Sequence, residues 1–411
     1  MRYSNIFYLP ILTIFLFLSP SCEVSEEQKA AEIHDQVLTV DTHCDTPLLA
    51  LRGDYDFGKR NPSDEGPQVD FPRMEEGGLD AAFFIVYLAQ GELTQEGYDS
   101  AHERALDLFD VIHEAVEDYP EMAELALTAD DAYDIEEKGK RAIYIGVENG
   151  YPIGKDISRL HKYYDLGARY LTLSHSSHNQ ICASSTDSSE PPHEGLSEFG
   201  KEIVEELNKL GMIVDISHIA DQSVRDVLEV TEAPVLATHS NARAVHDHNR
   251  NLSDELLKKV AENDGVVHVT FVSSFVAESP PTPERDSARA AVREKWDDFE
   301  GLTDEEMEQA REEWNEVNEK YPRVLATVSD LVDHIDHIVE VAGIEHVAIG
   351  SDFDGGGRLE DLNDVTELGN ITLELVRRGY TKEEIEKIWS GNFMRVFNEV
   401  EEVAQRMQAA D

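Results

Sequence analysis

Cysteine is nearly absent. Three occur in 411 residues, none with a C-x-x-C partner, which excludes a thiolate zinc site. With Cys22 set aside for the reason given below, Cys44 and Cys182 are too few for a disulfide framework, so burial has to hold the core together. Both read as small, semi-buried residues near a site, and the sequence leaves open whether they pair. Basic residues are scarce too: 35 Lys plus Arg stand against 85 Asp plus Glu, a formal net charge of −50. Such a charge repels polyanions, so nucleic acid and anionic membrane surfaces are excluded as partners. The most apolar run, Ile6 to Leu18, is shorter than the ~20 residues a spanning helix requires. Neither an internal repeat nor a low-complexity segment is apparent.

What is present describes a packed globular protein: 41% hydrophobic residues, with 25 Gly and 15 Pro spread along the chain. Acidic runs such as Asp304-Glu305-Glu306 and Glu312-Glu313 lie in polar, helix-like stretches and read as solvated surface. An excess of this size also points to a high-salt habitat, where screening relieves self-repulsion.

The start of the chain is a separate object. Arg2 precedes the apolar run, and Ser19-Pro20-Ser21-Cys22 follows it, the pattern of a secretory signal over residues 1–21. Cys22 resembles the lipidated residue of bacterial lipoproteins, and residues 22–32 would form a polar tether. The expectation is an exported protein, lipid-anchored at Cys22 in a bacterial cell envelope, at the periplasm or outer membrane. The membrane would be met only through that anchor.

From Val37 onward, short β-rich runs alternate with amphipathic helical stretches, the pattern of repeated βα units on a parallel sheet. Strand candidates are Val37–Asp41, Ala81–Leu88, Ala142–Val147, Tyr170–Leu173, Ile213–Ile216, Val235–Thr238, Val266–Phe271 and His346–Ile349. Between them lie helices such as Phe199–Leu210, with Phe199, Ile203, Leu207 and Leu210 on one face. That count predicts a (β/α)8 TIM barrel over residues 33–404, followed by a tail at 405–411. The stretch between the last two strands opens at Ser279-Pro280-Pro281-Thr282-Pro283, and residues 277–325 read as a helical insertion over the catalytic face.

Barrel enzymes place their chemistry at the C-terminal ends of strands. Those ends carry Asp41-Thr42-His43-Cys44-Asp45, Glu148, His175, His218, His239, and the pair Asp352 and Asp354. Imidazole and carboxylate are ligands of Zn²⁺ and similar ions, and the set is large enough for two. The i, i+2 spacing of His43 and Asp45 points both side chains the same way on an extended strand. Glu148 has two oxygens and can bridge two ions; His218 and His239 would complete the second. Water held between two such ions ionises near neutral pH, which makes hydrolysis the natural reaction.

At this point the residues resemble a known family, the membrane (renal) dipeptidases. The resemblance is carried by Asp41-Thr42-His43-Cys44-Asp45-Thr46-Pro47, Gly146-Val147-Glu148-Asn149-Gly150 and Tyr170-Leu171-Thr172-Leu173-Ser174-His175. It continues through Asp215-Ile216-Ser217-His218, Pro234-Val235-Leu236-Ala237-Thr238-His239-Ser240, Arg250-Asn251-Leu252 and Gly350-Ser351-Asp352-Phe353-Asp354-Gly355. The resemblance implies a metal-dependent hydrolase of the metal-dependent barrel type with two Zn²⁺ per chain: His43 and Asp45 on one, His218 and His239 on the other, Glu148 on both. It further implies that a zinc-bridging hydroxide attacks dipeptides bearing a free C-terminal carboxylate. His175 would polarise the substrate, Asp352 would act as general acid/base at the substrate, and Arg250 would take its carboxylate. Asp354 reads as structural. A homodimer is left open.

Three departures limit the resemblance. Thr270 stands where the family commonly has Asn, Ser177 replaces a cysteine of the mammalian members, and no apolar tail follows Met407-Gln408-Ala409-Ala410-Asp411. Among the other histidines, His334 and His337 read as packing or surface residues, His246 and His248 as solvent-exposed loop residues that could instead line the substrate entrance, and His178 and His193 as loop residues within reach of a substrate. Two competing functions stay open: a dizinc amidohydrolase acting on N-acyl amino acids or lactams, and a non-catalytic peptide-binding lipoprotein.

Overall fold

The computed structural model describes residues 24–53, 55–62, 66–296 and 304–410. The apolar run and Cys22 lie outside the described residues. Nine strands are present among the described residues: β1 (Val40–Cys44), β2 (Ala81–Tyr87), β3 (Ala123–Leu125), β4 (Arg141–Glu148), β5 (Ala168–Thr172), β6 (Ile213–Asp215), β7 (Leu236–Ala237), β8 (Val266–Val269) and β9 (Val347–Ile349). All pairings are parallel, in the order β1-β2-β4-β5-β6-β7-β8-β9, with β3 beside β4 and off that path. The seam between β1 and β9 is drawn together just beyond the strands. There the Asp352 N–H donates to the His43 carbonyl at 3.0 Å, and the Asp45 N–H donates to that of Phe353 at 2.9 Å. The chain is an α/β barrel of eight parallel strands, nearly closed.

Alternation along each strand divides the apolar residues into two layers. In β2, Ala81, Phe83 and Ile85 join the cluster inside the barrel, whereas Ala82, Phe84 and Val86 pack outward under the helices. Both faces of the sheet are covered, which is why these strands read as continuous apolar runs. The barrel floor is plugged by the last helix, Asn392–Ala410, whose Phe393 meets Phe83 at 5.5 Å between ring centres. Each such fully buried side chain contributes roughly 1.5–3 kcal/mol.

The outer helices are bounded by local chemistry. Ser197 caps Glu198–Leu210 by accepting from the Gly200 N–H, and Gly211 ends that helix at φ 77°. Helices Pro283–Lys295 and Asp304–Lys320 lie between β8 and β9 and pack on one another through Arg289, whose guanidinium sits 4.4 Å from the Trp314 ring centre. No helix among the described residues is long and apolar enough to cross a membrane.

Most strands lie within two residues of the expected bounds, but one is shifted further and one is additional. The first begins at Val40, not Val37, because Thr39 turns its N–H and hydroxyl to Asp80 and Gly78 in the loop that leads into β2. His43 therefore lies on the strand itself. Strand β3 was not anticipated, since three residues beside acidic neighbours give no readable period.

Candidate metal centre

Glu148 ends β4 with its carboxylate in the middle of the barrel mouth, and the strands around it aim imidazoles at both of its oxygens. His218 Nε2 lies 3.0 Å, His239 Nε2 3.4 Å and His175 Nε2 3.8 Å from Oε1, while His43 Nε2 lies 3.6 Å from Oε2. Asp45 Oδ2 is 3.6 Å from His43 Nε2. Three groups in this cluster bring ligand atoms within 4.8 Å of one another: His43, Glu148 and His239; Glu148, His175 and His218; His43, Asp45 and Asp352.

The surroundings set the tautomers. The Tyr170 hydroxyl faces the Thr42 carbonyl at 3.2 Å and His43 Nδ1 at 2.9 Å. The carbonyl can only accept, so the hydroxyl donates there and accepts from Nδ1–H, which in the neutral ring leaves the lone pair on His43 Nε2. Thr238 repeats the device, donating to Asp215 Oδ2 at 2.8 Å and accepting from His239 Nδ1 at 2.9 Å. Asp215 is fixed in turn by the Thr172 hydroxyl at 2.6 Å and the Ser217 N–H at 3.0 Å. Such partners orient an imidazole and raise its basicity as a ligand.

The cluster is short of positive charge. His43 Nε2 and Asp45 Oδ1 are buried without hydrogen-bond partners, and the Nε2 atoms of His218 and His239 face each other at 2.8 Å. Two imidazole lone pairs at that distance repel unless a proton or a cation lies between them. Burial pushes the His218 and His239 pKa values well below the ordinary imidazole range, which keeps both neutral. Burial also opposes a charge on His43, but the carboxylates of Glu148 and Asp45 outweigh it and hold its pKa well above that range. A divalent cation would take the place of that proton, so the donor set fits a metal.

Asp352 stands half-buried over the same cleft. Burial, then the neighbouring Asp45, raises its carboxyl well above the usual range, against the pull of His43 and Arg250. Arg250 is buried; its Nη2 donates to the His239 carbonyl at 3.1 Å and its guanidinium lies 5.4 Å from the Phe275 ring centre. Burial draws its pKa down to about 10. Asp45, Glu148, His175, His218, Arg250 and Asp352 all line one cavity of about 710 Å³. His43 and His239 lie beneath it, buried and within reach of Glu148.

Of the five non-glycine residues with left-handed backbone among the described residues, four surround this site: Asn149 (φ 82°), His218 (69°), Asp352 (62°) and Asp354 (63°). Each costs on the order of 1–3 kcal/mol, strain that persists where packing fixes a side chain for use. Asp354 accepts from the Thr46 hydroxyl at 2.7 Å and the Gln68 N–H at 2.8 Å, a structural bonding pattern.

The remaining histidines separate cleanly. His334 is buried between the Ala242 N–H and the Val276 carbonyl, and His337 pairs with Asp254. His248 stacks on Phe275 at 4.5 Å and lines the cleft, whereas His178 is spent on the Ser184 N–H and the Ser189 carbonyl of its own loop. Ser176 and Thr186 of that loop reach the cavity instead. Cys44 and Cys182 are buried free thiols. Thr270 is buried, its carbonyl accepting from Asn241. Sequence reasoning passed over Tyr170 and Asp215; the one available signal was threonines ending two strands beside a buried aspartate.

Comparison with known proteins places the chain in context. The model of the family described as membrane dipeptidase (peptidase family M19) matches residues 27–411. Dipeptidase tcpJ of Claviceps purpurea is 32% identical over 363 residues, 86% of this chain and 75% of that protein. Dipeptidase aclJ of Aspergillus oryzae is 32% identical over 346 residues, 83% and 72% of the two chains. The crystal structure of the probable dipeptidase PvdM from Pseudomonas aeruginosa superposes with a TM-score of 0.78 at 28% identity, covering 92% of this chain and 99% of that one.

Proposed function

The chain belongs to the membrane dipeptidase family and is a hydrolase of that family, and from this premise we propose that it cleaves dipeptides bearing a free C-terminal carboxylate with two Zn²⁺ ions. One observation carries the reading: the two oxygens of Glu148 face different imidazoles, Oε2 toward His43 and Oε1 toward His218 and His239. His43 and Asp45 would hold one ion, His218 and His239 the other, and Glu148 both. Zinc in such a site supplies a Lewis acid for the peptide carbonyl and an activated water at neutral pH.

The chain's own groups supply the rest. His175, kept neutral by burial, has its Nδ1 beside the Ser176 hydroxyl at 3.0 Å and offers Nε2–H to the carbonyl oxygen as charge builds there. Burial raises the proton affinity of the Asp352 carboxyl, which suits it to pass a proton to the departing amine. Arg250 clamps the substrate carboxylate in a fork that Lys cannot reproduce. The segment ending in Cys22 supports export and an N-terminal lipid anchor.

The test is metal content against turnover. Purified protein is expected to hold close to two divalent ions per chain, and Glu148→Ala to lose both metal and dipeptide hydrolysis. Activity in protein stripped of metal would overturn the proposal.

A further inference from the structure

A second cavity, of about 760 Å³, adjoins the metal cleft, and its wall gathers four arginines in a chain that is otherwise strongly acidic. Arg285, Arg289, Arg323 and Arg358 line it. The first three come from the segment between β8 and β9, and Arg358 follows the loop that carries Asp352. Arg285 and Arg289 are held in the packing of the two helices: the Asn318 side-chain oxygen accepts from both, at 3.1 Å and 2.6 Å, and Arg285 also donates to the Tyr321 carbonyl at 3.1 Å. Neither Arg323 nor Arg358 makes a side-chain hydrogen bond or ion pair among the described residues.

Three carboxylates share the wall. Asp354 is spent on Thr46 and Gln68, and Asp364 lies 3.4 Å from the buried Arg73. Glu360 is exposed. Arg323 and Arg358 are thus the wall's cations with no side-chain partner among the described residues.

Val272, Asp354, Gly355 and Gly356 border both cavities. At Gly355 and Gly356 the partition is backbone alone. Gly355 lies so close to the metal cleft that a Cβ there would stand 2.0 Å from Asp45 Oδ2 and 2.1 Å from Asp352 Oδ1, while a Cβ on Gly356 would meet nothing nearer than 3.7 Å. A substrate seated at Asp352 can therefore pass over Gly356 without meeting a side chain of that residue.

We propose that the arginine-lined cavity is an extended subsite for an anionic group carried by the substrate, so that dipeptides with a carboxylate side chain are preferred. This rests on the dipeptidase reading and deepens it. The helices between β8 and β9 then have a function: they carry cations to the edge of an acidic barrel, where guanidinium groups pair with carboxylates in a fixed fork.

The experiment compares kcat/KM for isosteric pairs, Ala-Glu with Ala-Gln and Glu-Ala with Gln-Ala, on the wild type and on Arg323→Gln/Arg358→Gln. The wild type should favour the acidic member of at least one pair by about tenfold or more. The double variant should lose that preference through KM, with the neutral member changed less than twofold. Equal rates within both pairs on the wild type, or a preference that survives in the double variant, would overturn the subsite while leaving the dipeptidase reading intact. If neither pair is hydrolysed the dipeptidase reading fails, and calorimetric titration with Ala-Glu decides the subsite: tighter binding to the wild type than to the double variant supports it, and equal binding overturns it.

Discussion

Arg250 carries a positive charge to the wall of the cleft while nearly all of its surface is buried, its Nη2 on a backbone carbonyl and its guanidinium near the face of Phe275. A buried guanidinium with capacity to spare, such as the unpartnered Nε, is stabilised by any carboxylate that enters the cleft. A dipeptide amide or ester cannot supply one and should be cleaved far more slowly than the free acid. At ~1.5–3 kcal/mol for each charge-assisted bond, losing one or two corresponds to roughly ten- to several-hundred-fold in kcat/KM. Arg250→Ala should slow the free dipeptide toward the rate of its amide, and Arg250→Lys should recover only part, since a single ammonium cannot clamp two oxygens. Kinetics of a matched acid and amide on the three proteins decide it; equal wild-type rates would remove Arg250 from this role.

One step up, the site depends on how neighbouring strands fit inside the barrel. Gly146 on β4 faces Tyr170 on β5, and a Cβ at that glycine would stand 2.2 Å from the tyrosine ring. The same tyrosine holds Nδ1 of His43 on β1. Gly146→Ala should therefore displace Tyr170, cost about 1–3 kcal/mol as overpacking does, and loosen His43. Tyr170→Phe should keep the packing and lose only the bond to the imidazole, weakening metal affinity by ~10–100-fold with a smaller fall in melting temperature. Chelator competition and thermal melts on both variants check the relay; unchanged metal affinity in both would break it. This relay also marks where the sequence stops being legible. His43, Glu148, His218 and His239 could be picked out because each follows an apolar run, and the barrel because those runs alternate with helical periods. Tyr170 could not, since an aromatic residue in a strand looks the same whether it fills the core or steers a ligand. Nor could the arginine-lined cavity, which joins Arg285 and Arg323 to Arg358 across β9 and exists only once the barrel has closed.

At the scale of the whole molecule, the dominant fact is the ratio of 85 acidic to 35 basic side chains. Surface pairs do form, such as Arg225 with Glu255 and Arg378 with Asp333, but each is worth only ~0–1 kcal/mol, and most carboxylates have no cation left to meet. Folding gathers the unmatched charge onto one surface, whereas the unfolded chain spreads it out, so repulsion weighs on the folded state. Screening acts on both terms with opposite sign: salt weakens the few attractive pairs and the many repulsive ones. Because the repulsive pairs are more numerous and lie farther apart, they are the ones a shorter Debye length removes, from ~10 Å at 0.1 M to ~3 Å at 1 M. The melting temperature should accordingly rise with added chloride salt, most steeply at low ionic strength, and activity should persist in molar salt. Scanning melts from dilute buffer to 1 M KCl, repeated with NaCl at matched ionic strength, test this. A melting temperature that stays flat or falls would show that the attractive pairs dominate and that the acidic surface is no adaptation to salt.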